Sequence, residues 1–462
     1  MIETAHETAL LTLSHVADIL SVSKQTVKAW RNKGKIKFSC VSGFSEEVCS
    51  NADLAQFPEY AQFVATSWDE EHETKPARTY RSIELFAGAG GLALGLEKAG
   101  FDAVMLNEWD ADACATLRHN RPKWNIVEGD IAQIDFTPYK NAIDLLSGGF
   151  PCQAFSYAGK QRGFNDTRGT MFYQFARAIK EIRPRFFLGE NVRGLISHDA
   201  GRTLATMRHV FSDLGYTLVE PKILKAIFYQ VPQKRERLFF VGIRNDFVDG
   251  IAFAWPSPCP RIYTLHDALK AGELFHDDCP DALGQKYPER KRKVMEHVPP
   301  GGYWRDLPLP LQKAYMKGSF YLGGGKTGLA RRLSWGEPSL TLTCAPAQMQ
   351  TERCHPDETR PLNTREYARI QTFPDDWTFK GSTNSIYKQI GNAVPVNLAY
   401  AMGRALVRLL NQAEERALLK PLLRYSLDAK GTLFFVCEKK NHRPAKRSVA
   451  VTKTKAKKKG AK

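Results

Sequence analysis

From Arg81 onward the chain alternates short apolar runs with glycine-bearing turns and amphipathic stretches, a rhythm that few folds satisfy. Ser82-Ile83-Glu84-Leu85-Phe86 reads as a strand, Ala87-Gly88-Ala89-Gly90-Gly91 as a turn and Leu92 to Ala99 as a helix. A second strand runs through Ala103-Val104-Met105-Leu106 and ends at Asn107-Glu108-Trp109; a helix follows from Ala111 to Asn120. Strands joined by helical crossovers pair in parallel, with the helices on both faces of the sheet. The pattern continues through Asp144-Leu145-Leu146, Arg185-Phe186-Phe187-Leu188 and Arg237-Leu238-Phe239-Phe240-Val241, then stops after Arg244. From about Asp246 to Thr359 the chain is rich in Pro, Gly, Trp and basic residues and nearly aperiodic. Helical patterning returns at Thr364 to Gln371 and at Asn397 to Leu410.

A chain of 462 residues predicts several domains. The composition shifts place them at 1–75, 76–245, 246–360, 361–415 and 416–462. No apolar run reaches the roughly 20 residues of a membrane helix, and the first residues lack the order of a signal peptide. Nine cysteines without a Cys-x-x-Cys pair argue against a disulfide framework or structural zinc. A reducing cytoplasm is the expected compartment, and no metal is called for. The net charge is +17, and eleven Lys/Arg with no acid lie between Lys439 and Lys462. That tail reads as a disordered basic arm, either solubilising or directed at a polyanion such as nucleic acid.

The first segment reads as two short helices. Ser14 is placed to cap the first, with Val16, Ala17 and Leu20 inward; Ser23 caps the second, Lys24 to Asn32, which Gly34 ends. Val27 and Trp30 face in, leaving Lys24, Gln25 and Arg31 outward for DNA contact, unless the pair is plain packing. The segment Leu11 to Ile36 resembles the helix-turn-helix of excisionase and MerR-type regulators. Residues Glu70 to Tyr80 are polar and read as a linker. Removing 1–75 should then spare catalysis and cost only promoter binding.

Cys152 follows Pro151 in Gly148-Gly149-Phe150-Pro151-Cys152-Gln153-Ala154-Phe155-Ser156, a small-residue turn after a strand. A thiol in an exposed loop can be a nucleophile; a buried structural thiol is the commoner fate. The turn from Phe86 through Ala87, Gly88, Gly90 and Gly91 suits a cofactor, because glycines let backbone and helix N-terminus approach it. It lacks the Gly-x-Gly-x-x-Gly spacing of a dinucleotide loop. Glu108, at the end of the second strand, can take ribose hydroxyls. Asp130, at the end of the third, can accept from an adenine amine. Ribose and adenine without phosphate recognition describe S-adenosylmethionine. Glu190 ends another strand, where burial would raise its pKa and make it a proton donor. Arg235 and Arg237, two apart, share a strand face and could clamp a phosphate or a base carbonyl, or form surface salt bridges.

These motifs, with Gly129-Asp130-Ile131, Glu190-Asn191-Val192, Gln233-x-Arg235-x-Arg237 and Gly391-Asn392-Ala393-Val394-Pro395, stand in the order of the DNA cytosine-C5 methyltransferases of bacterial restriction–modification systems. The resemblance covers about Arg81 to Leu410. It implies a doubly wound mixed α/β sheet of the S-adenosylmethionine-dependent type, with a small irregular target-recognition domain and the N-terminal helical module. It also implies that Cys152 attacks C6 of a flipped cytosine, Glu190 protonates N3 and Arg235 holds O2. Phe86, Trp109, Ile131, Pro151, Met171 and Asn392 would complete the cofactor pocket. Ser156, Lys160 and Gln161 would touch phosphates, and Thr341 would support the flipped base. Arg331, Arg332, Trp335, Gln348, Gln350, Arg353 and His355 are candidates for reading base edges. The implied partners are duplex DNA, bound as a monomer, and functionally a restriction endonuclease. An RNA cytosine methyltransferase and a helix-turn-helix autoregulator are the competing readings.

Overall fold

The computed structural model describes residues 10–41, 46–151, 170–323, 327–419, 425–427 and 433–435. Cys152, Ser156, Lys160, Gln161 and the tail from Lys439 lie outside the described residues.

The N-terminal helices are α1 (Leu13–Ile19) and α2 (Lys24–Asn32). Ser23 caps α2 as expected, accepting from the Thr26 amide at 3.0 Å. Thr12 caps α1 in place of Ser14, which lies buried within the first turn and accepts from Lys234 Nζ at 3.3 Å. Val16, Ile19 and Val27 pack with Leu54, Phe57 and Phe63, but this cluster closes only against Ile227 and Ile262 of the body. The helix pair therefore shares its core with the rest of the protein.

The expected linker, Glu70 to Tyr80, begins inside a helix, α3 (Trp68–Glu73). Asp69, Glu70 and Glu73 are exposed and give the segment its polar composition, while Trp68 and Glu71 point inward. Trp68 sits beneath the Arg404 guanidinium, 4.7 Å from the ring centroid, and Glu71 pairs with Arg408 at 2.9 Å. Truncation at 75 thus strips a core indole and the acid facing two arginines. We expect loss of residues 1–75 to lower stability by about 3 kcal/mol or more. Thermal melts of the truncated chain check this, and a wild-type melting temperature would refute it.

The sheet begins with β1 (Tyr80–Leu85), α4 (Gly91–Lys98), β2 (Phe101–Glu108), α5 (Ala111–Asn120), β3 (Ile126–Glu128) and β4 (Leu145–Gly148). The chain continues with α6 (Met171–Ile182), β5 (Phe186–Val192), α7 (Arg202–Asp213), β6 (Tyr216–Leu218), β7 (Lys222–Lys225), β8 (Gln233–Lys234), which lies outside the main sheet, and β9 (Glu236–Arg244). The strand order is β3-β2-β1-β4-β5-β9-β6, with β7 also on β9. The first five strands are parallel, and the central three, β1, β4 and β5, are buried on both faces, hence their apolar runs. β9 is antiparallel to β5, pairing Phe239 with Glu190 and Arg237 with Val192, so the sheet is mixed.

Chain order runs outward β1, β2, β3 on one side and restarts at β4 and β5 on the other. Such a reversal opens a crevice at the carboxyl ends of the two central strands. Leu85 is in register with Gly148, so the glycine turn and the Pro151 turn emerge side by side there.

The segment from 246 to 360 carries little regular structure but holds a core of its own, including Tyr287, Met295, Trp304, Met316 and Cys354. Its strand β10 (Ser339–Leu340) pairs in parallel with β8. The chain then returns through α8 (Thr364–Ile370), α9 (Thr383–Asn392) and α10 (Val396–Leu419). A Cβ on Gly95 of α4 would meet the Ala399 Cβ of α10 at 2.4 Å, so the late helix folds back against the first crossover. The described residues up to 413 form one compact unit; in the second, Tyr425–Leu427 and Leu433–Phe435 make an antiparallel pair. Among the described residues no helix is long and apolar enough to cross a membrane.

Candidate active site

A cavity of about 680 Å3 opens at the crevice between β1 and β4. Its volume falls within the range of small-molecule sites, roughly 300–1,000 Å3. Phe86, Ala87, Gly88, Gly91, Glu108, Trp109, Asp130, Ile131, Pro151, Met171, Glu190, Arg237 and Asn392 all line it. The residues of one wall come from positions more than 300 apart in the chain, joined where α10 folds back.

The glycine turn makes the near wall. Phe86 and Gly88 have φ of +58° and +54°, which reverses the chain at the strand end and aims α4 at the cavity. Gly90 differs from expectation. A Cβ there would meet Leu117 at 2.7 Å and Trp377 at 3.2 Å, so this glycine serves packing behind the turn and does not line the cavity. Glu108 accepts from the Gly88 amide at 2.7 Å and from the Trp109 and Asp110 amides at 2.9 and 2.8 Å. That fixes a carboxylate at the cavity edge. The Trp109 indole beside it is 73% exposed, an open aromatic face for a planar ligand. Asp130 caps a short 3-10 turn through the Ala132 amide at 2.9 Å. The donor set, two strand-end carboxylates, an open indole and a helix N-terminus, fits S-adenosylmethionine.

Glu190 and Arg237 form the far wall. Glu190 is opposite Phe239 on β9; Arg237, two residues before Phe239, shares that face and reaches it diagonally. Arg237 Nε lies 2.7 Å from Glu190 Oε1, and both side chains are nearly buried. Burial pushes the Glu190 carboxyl up, and the Arg237 charge pulls it back only in part. A Cβ on Gly149 would come within 2.7 Å of Glu190 Oε2, so a larger residue there would push the Glu190 carboxylate out of place. Asn191, also buried, donates to the Phe150 carbonyl at 2.9 Å and pins the same turn.

Arg235 does not join this pair. The strand breaks at Arg235, because Gln233 and Lys234 leave to pair with β10. The Arg235 guanidinium is buried and donates to the carbonyls of Leu342 at 3.2 Å and Gly391 at 2.9 Å. It braces the segments that carry Thr341 and Asn392, and Arg237 takes the position facing the cavity that the sequence assigned to Arg235. Several candidate base readers are likewise committed. Arg332 donates to the carbonyls of Met295, Val298, His355, Pro356 and Glu358, Arg353 donates to Thr341, and His355 is buried. Gln348 and Gln350 are exposed.

Lys24 of α2 is paired with Glu337, and Arg31 with Glu47 at 2.5 Å; Gln25 is exposed. Thr341 donates to the Lys234 carbonyl at 2.6 Å and lines a second recess beside Arg237.

Sequence reasoning passed over Glu84. It is buried on β1, receives the Ala93 amide and Ser147 Oγ at 3.4 Å, and lines the cavity. Burial pushes its carboxyl up to about 8 from an ordinary 4.5. The folded chain therefore keeps a proton that the unfolded chain releases, and stability falls as pH rises between those values. The loss is on the order of 3–5 kcal/mol once both states are ionised. Glu84→Gln is expected to flatten that slope, raising the melting temperature above about pH 8 and leaving it unchanged near about pH 4. A variant with the wild-type slope would clear Glu84 as its source.

The family model described as C-5 cytosine-specific DNA methylase matches residues 80–408. The chain is 62% identical over 405 residues to the Type II methyltransferase M.Eco47II of Escherichia coli, covering 87% of this chain and 97% of that one. It is 60% identical over 398 residues to the Type II methyltransferase M.PspPI of Psychrobacter sp. (strain TA137), covering 86% and 96%. Among solved structures it is similar to one described as a DNA modification methyltransferase encoded within an E. coli prophage. That match has a TM-score of 0.53 at 26% identity and covers 72% of this chain and 100% of that one.

Proposed function

The chain belongs to the C-5 cytosine-specific DNA methylase family and uses S-adenosylmethionine as methyl donor, and from that premise we propose that it methylates one cytosine of a short duplex sequence through covalent addition of Cys152. The observation that carries this reading is the Glu190–Arg237 pair, 2.7 Å apart, on the wall of a cavity that Pro151 also lines.

Cytosine C5 is a weak nucleophile. The Cys152 thiolate bonds to C6, the ring electrons move toward N3, and Glu190 supplies a proton there. The ring becomes an enamine whose C5 carries the nucleophilic pair. Raising the Glu190 pKa suits this, because the carboxyl must hold a proton until N3 takes it. Arg237 holds Glu190 in place and offers N–H donors to the base O2. Glu108, Asp130, Phe86 and Trp109 would hold S-adenosylmethionine, which would supply the methyl group to C5 and leave as the neutral thioether S-adenosylhomocysteine. A base then removes the C5 proton, the C6–S bond breaks to return Cys152 as thiolate, and the N3 proton passes back to Glu190. C6 is inaccessible within a stack, so the target nucleotide must be extruded into the cavity.

The segment from 246 to 360, with its own core and exposed Gln348 and Gln350, is assigned to reading the duplex in the major groove. The Type II names of the relatives support a role as the protective partner of a restriction endonuclease. The N-terminal helix pair is assigned to duplex contact.

Bisulfite sequencing of DNA from cells expressing the chain tests the substrate. Protected cytosines at one recurring sequence are the expected result. Methyl transfer to tRNA with none to duplex DNA would overturn the reading in favour of an RNA enzyme.

A further inference from the structure

We propose that the N-terminal helix pair is a fixed extension of the catalytic DNA-binding face, gripping backbone phosphates of the same duplex whose cytosine is being methylated. This rests on the reading that the substrate is duplex DNA.

A continuous path of contacts leads from the catalytic wall to the helix pair. Arg237, bonded to Glu190, lines both the main cavity and a second recess of about 360 Å3. Asp18 of α1 forms part of that recess, together with Lys225 and Lys234. Lys234 pairs with Asp18 at 2.9 Å, and Lys225 donates to Ser21 Oγ at 2.6 Å, in the turn between the two helices. Two residues beyond Ser21, Ser23 caps α2. The helix thus starts at the rim of the recess beside the catalytic pair, and the shared core with Ile227 and Ile262 holds it there.

From this rim outward the surface is cationic. Between Ile19 and Ser45 the chain has six Lys/Arg and no Asp or Glu. The acids that approach from other elements are matched: Asp18 by Lys234, Glu337 by Lys24 and Glu47 by Arg31. Glu46 is exposed, and so are Lys28, Lys33 and Lys37. Lys35 lies over the rings of Trp30 and Phe57, at 4.6 and 4.8 Å from their centroids. Exposed lysines on a rigid surface suit the phosphate backbone, which needs no base pattern. At 1.5 Å per residue α2 is about 13 Å long, roughly four base pairs of duplex. The grip therefore falls on DNA flanking the target, a geometry that a free-standing promoter-binding module tethered by a linker would not impose.

The test is equilibrium binding of the full chain to duplexes of about 14 and about 30 base pairs, both centred on the sequence found methylated, across a salt series. The wild-type chain is expected to bind the longer duplex about ten-fold tighter, with a steeper salt dependence. In a Lys28→Gln, Lys33→Gln, Lys37→Gln variant that advantage should vanish. The log–log salt slope on the long duplex should fall by about 2.7, the value for three phosphates, and methyl transfer to the short duplex should be unchanged. A variant that keeps the wild-type preference for the long duplex overturns the proposal. So does one that loses equal affinity for both. If the wild-type chain methylates neither duplex, the duplex-methylation reading falls, and this proposal with it.

Discussion

Methyl transfer should fall by a factor on the order of 10^4 or more when Cys152 is replaced by alanine, while duplex binding survives. Without addition at C6, the cytosine ring gives C5 no pair with which to take a methyl group. General acid help from Glu190 then has no intermediate to stabilise, so the remaining residues cannot compensate. Binding depends on phosphate and groove contacts elsewhere and is expected to stay near wild type. Single-turnover transfer of a labelled methyl group, paired with a binding titration, reads both quantities. Turnover within about ten-fold of wild type would remove Cys152 from the reaction.

The second large effect belongs to Glu190. Glu190→Gln keeps the shape and a contact to Arg237 but has no carboxyl proton to give, and kcat should drop about 10^2- to 10^3-fold. The pH profile distinguishes this from a packing defect. Burial raises the Glu190 pKa, and the protonated form is the active one. The wild-type rate should therefore decline on the alkaline side as pH passes that pKa, and the Gln variant should lack this decline. Arg237→Leu removes the charge that favours the carboxylate, so the remaining decline should move to higher pH. A decline that moves to lower pH in the Leu variant would contradict the assignment of the titrating group to Glu190.

Much of this site is legible in the sequence because strand ends and glycine turns are local features. Glu108, Asp130 and Glu190 each end an apolar run, and a doubly wound sheet brings those ends to one edge. What the sequence hid depends on the partner of a residue. Arg235 and Arg237 have the same strand parity, and only the departure of β8 toward β10 turns Arg235 into the interior. Glu84 reads as an ordinary polar residue of a strand until the sheet covers both of its faces. Gly90 and Gly91 look equivalent, yet Gly90 is held by Leu117 and Trp377, and Gly91 lies against the Val394 carbonyl across the fold. The 70–80 segment looks like a linker by composition because Glu70 and Glu73 face solvent, while the buried Glu71 and the Trp68 just before it show their roles only against α10. The arginines of the recognition segment look like base contacts in the sequence, but an aperiodic chain needs donors for its own carbonyls, and Arg332 and Arg353 supply them.

The most direct measurement uses a duplex with 5-fluorocytosine at the target position, incubated with the chain and S-adenosylmethionine and then denatured. Addition of Cys152 and methyl transfer can proceed, but fluorine cannot leave C5 as a proton does, so the C6–S bond should persist. A denaturation-resistant protein–DNA complex is expected, with the cross-link mapped to Cys152 by peptide mass and absent from Cys152→Ala. Methylation of ordinary cytosine without any trapped complex, or a cross-link on another residue, would contradict covalent catalysis by Cys152.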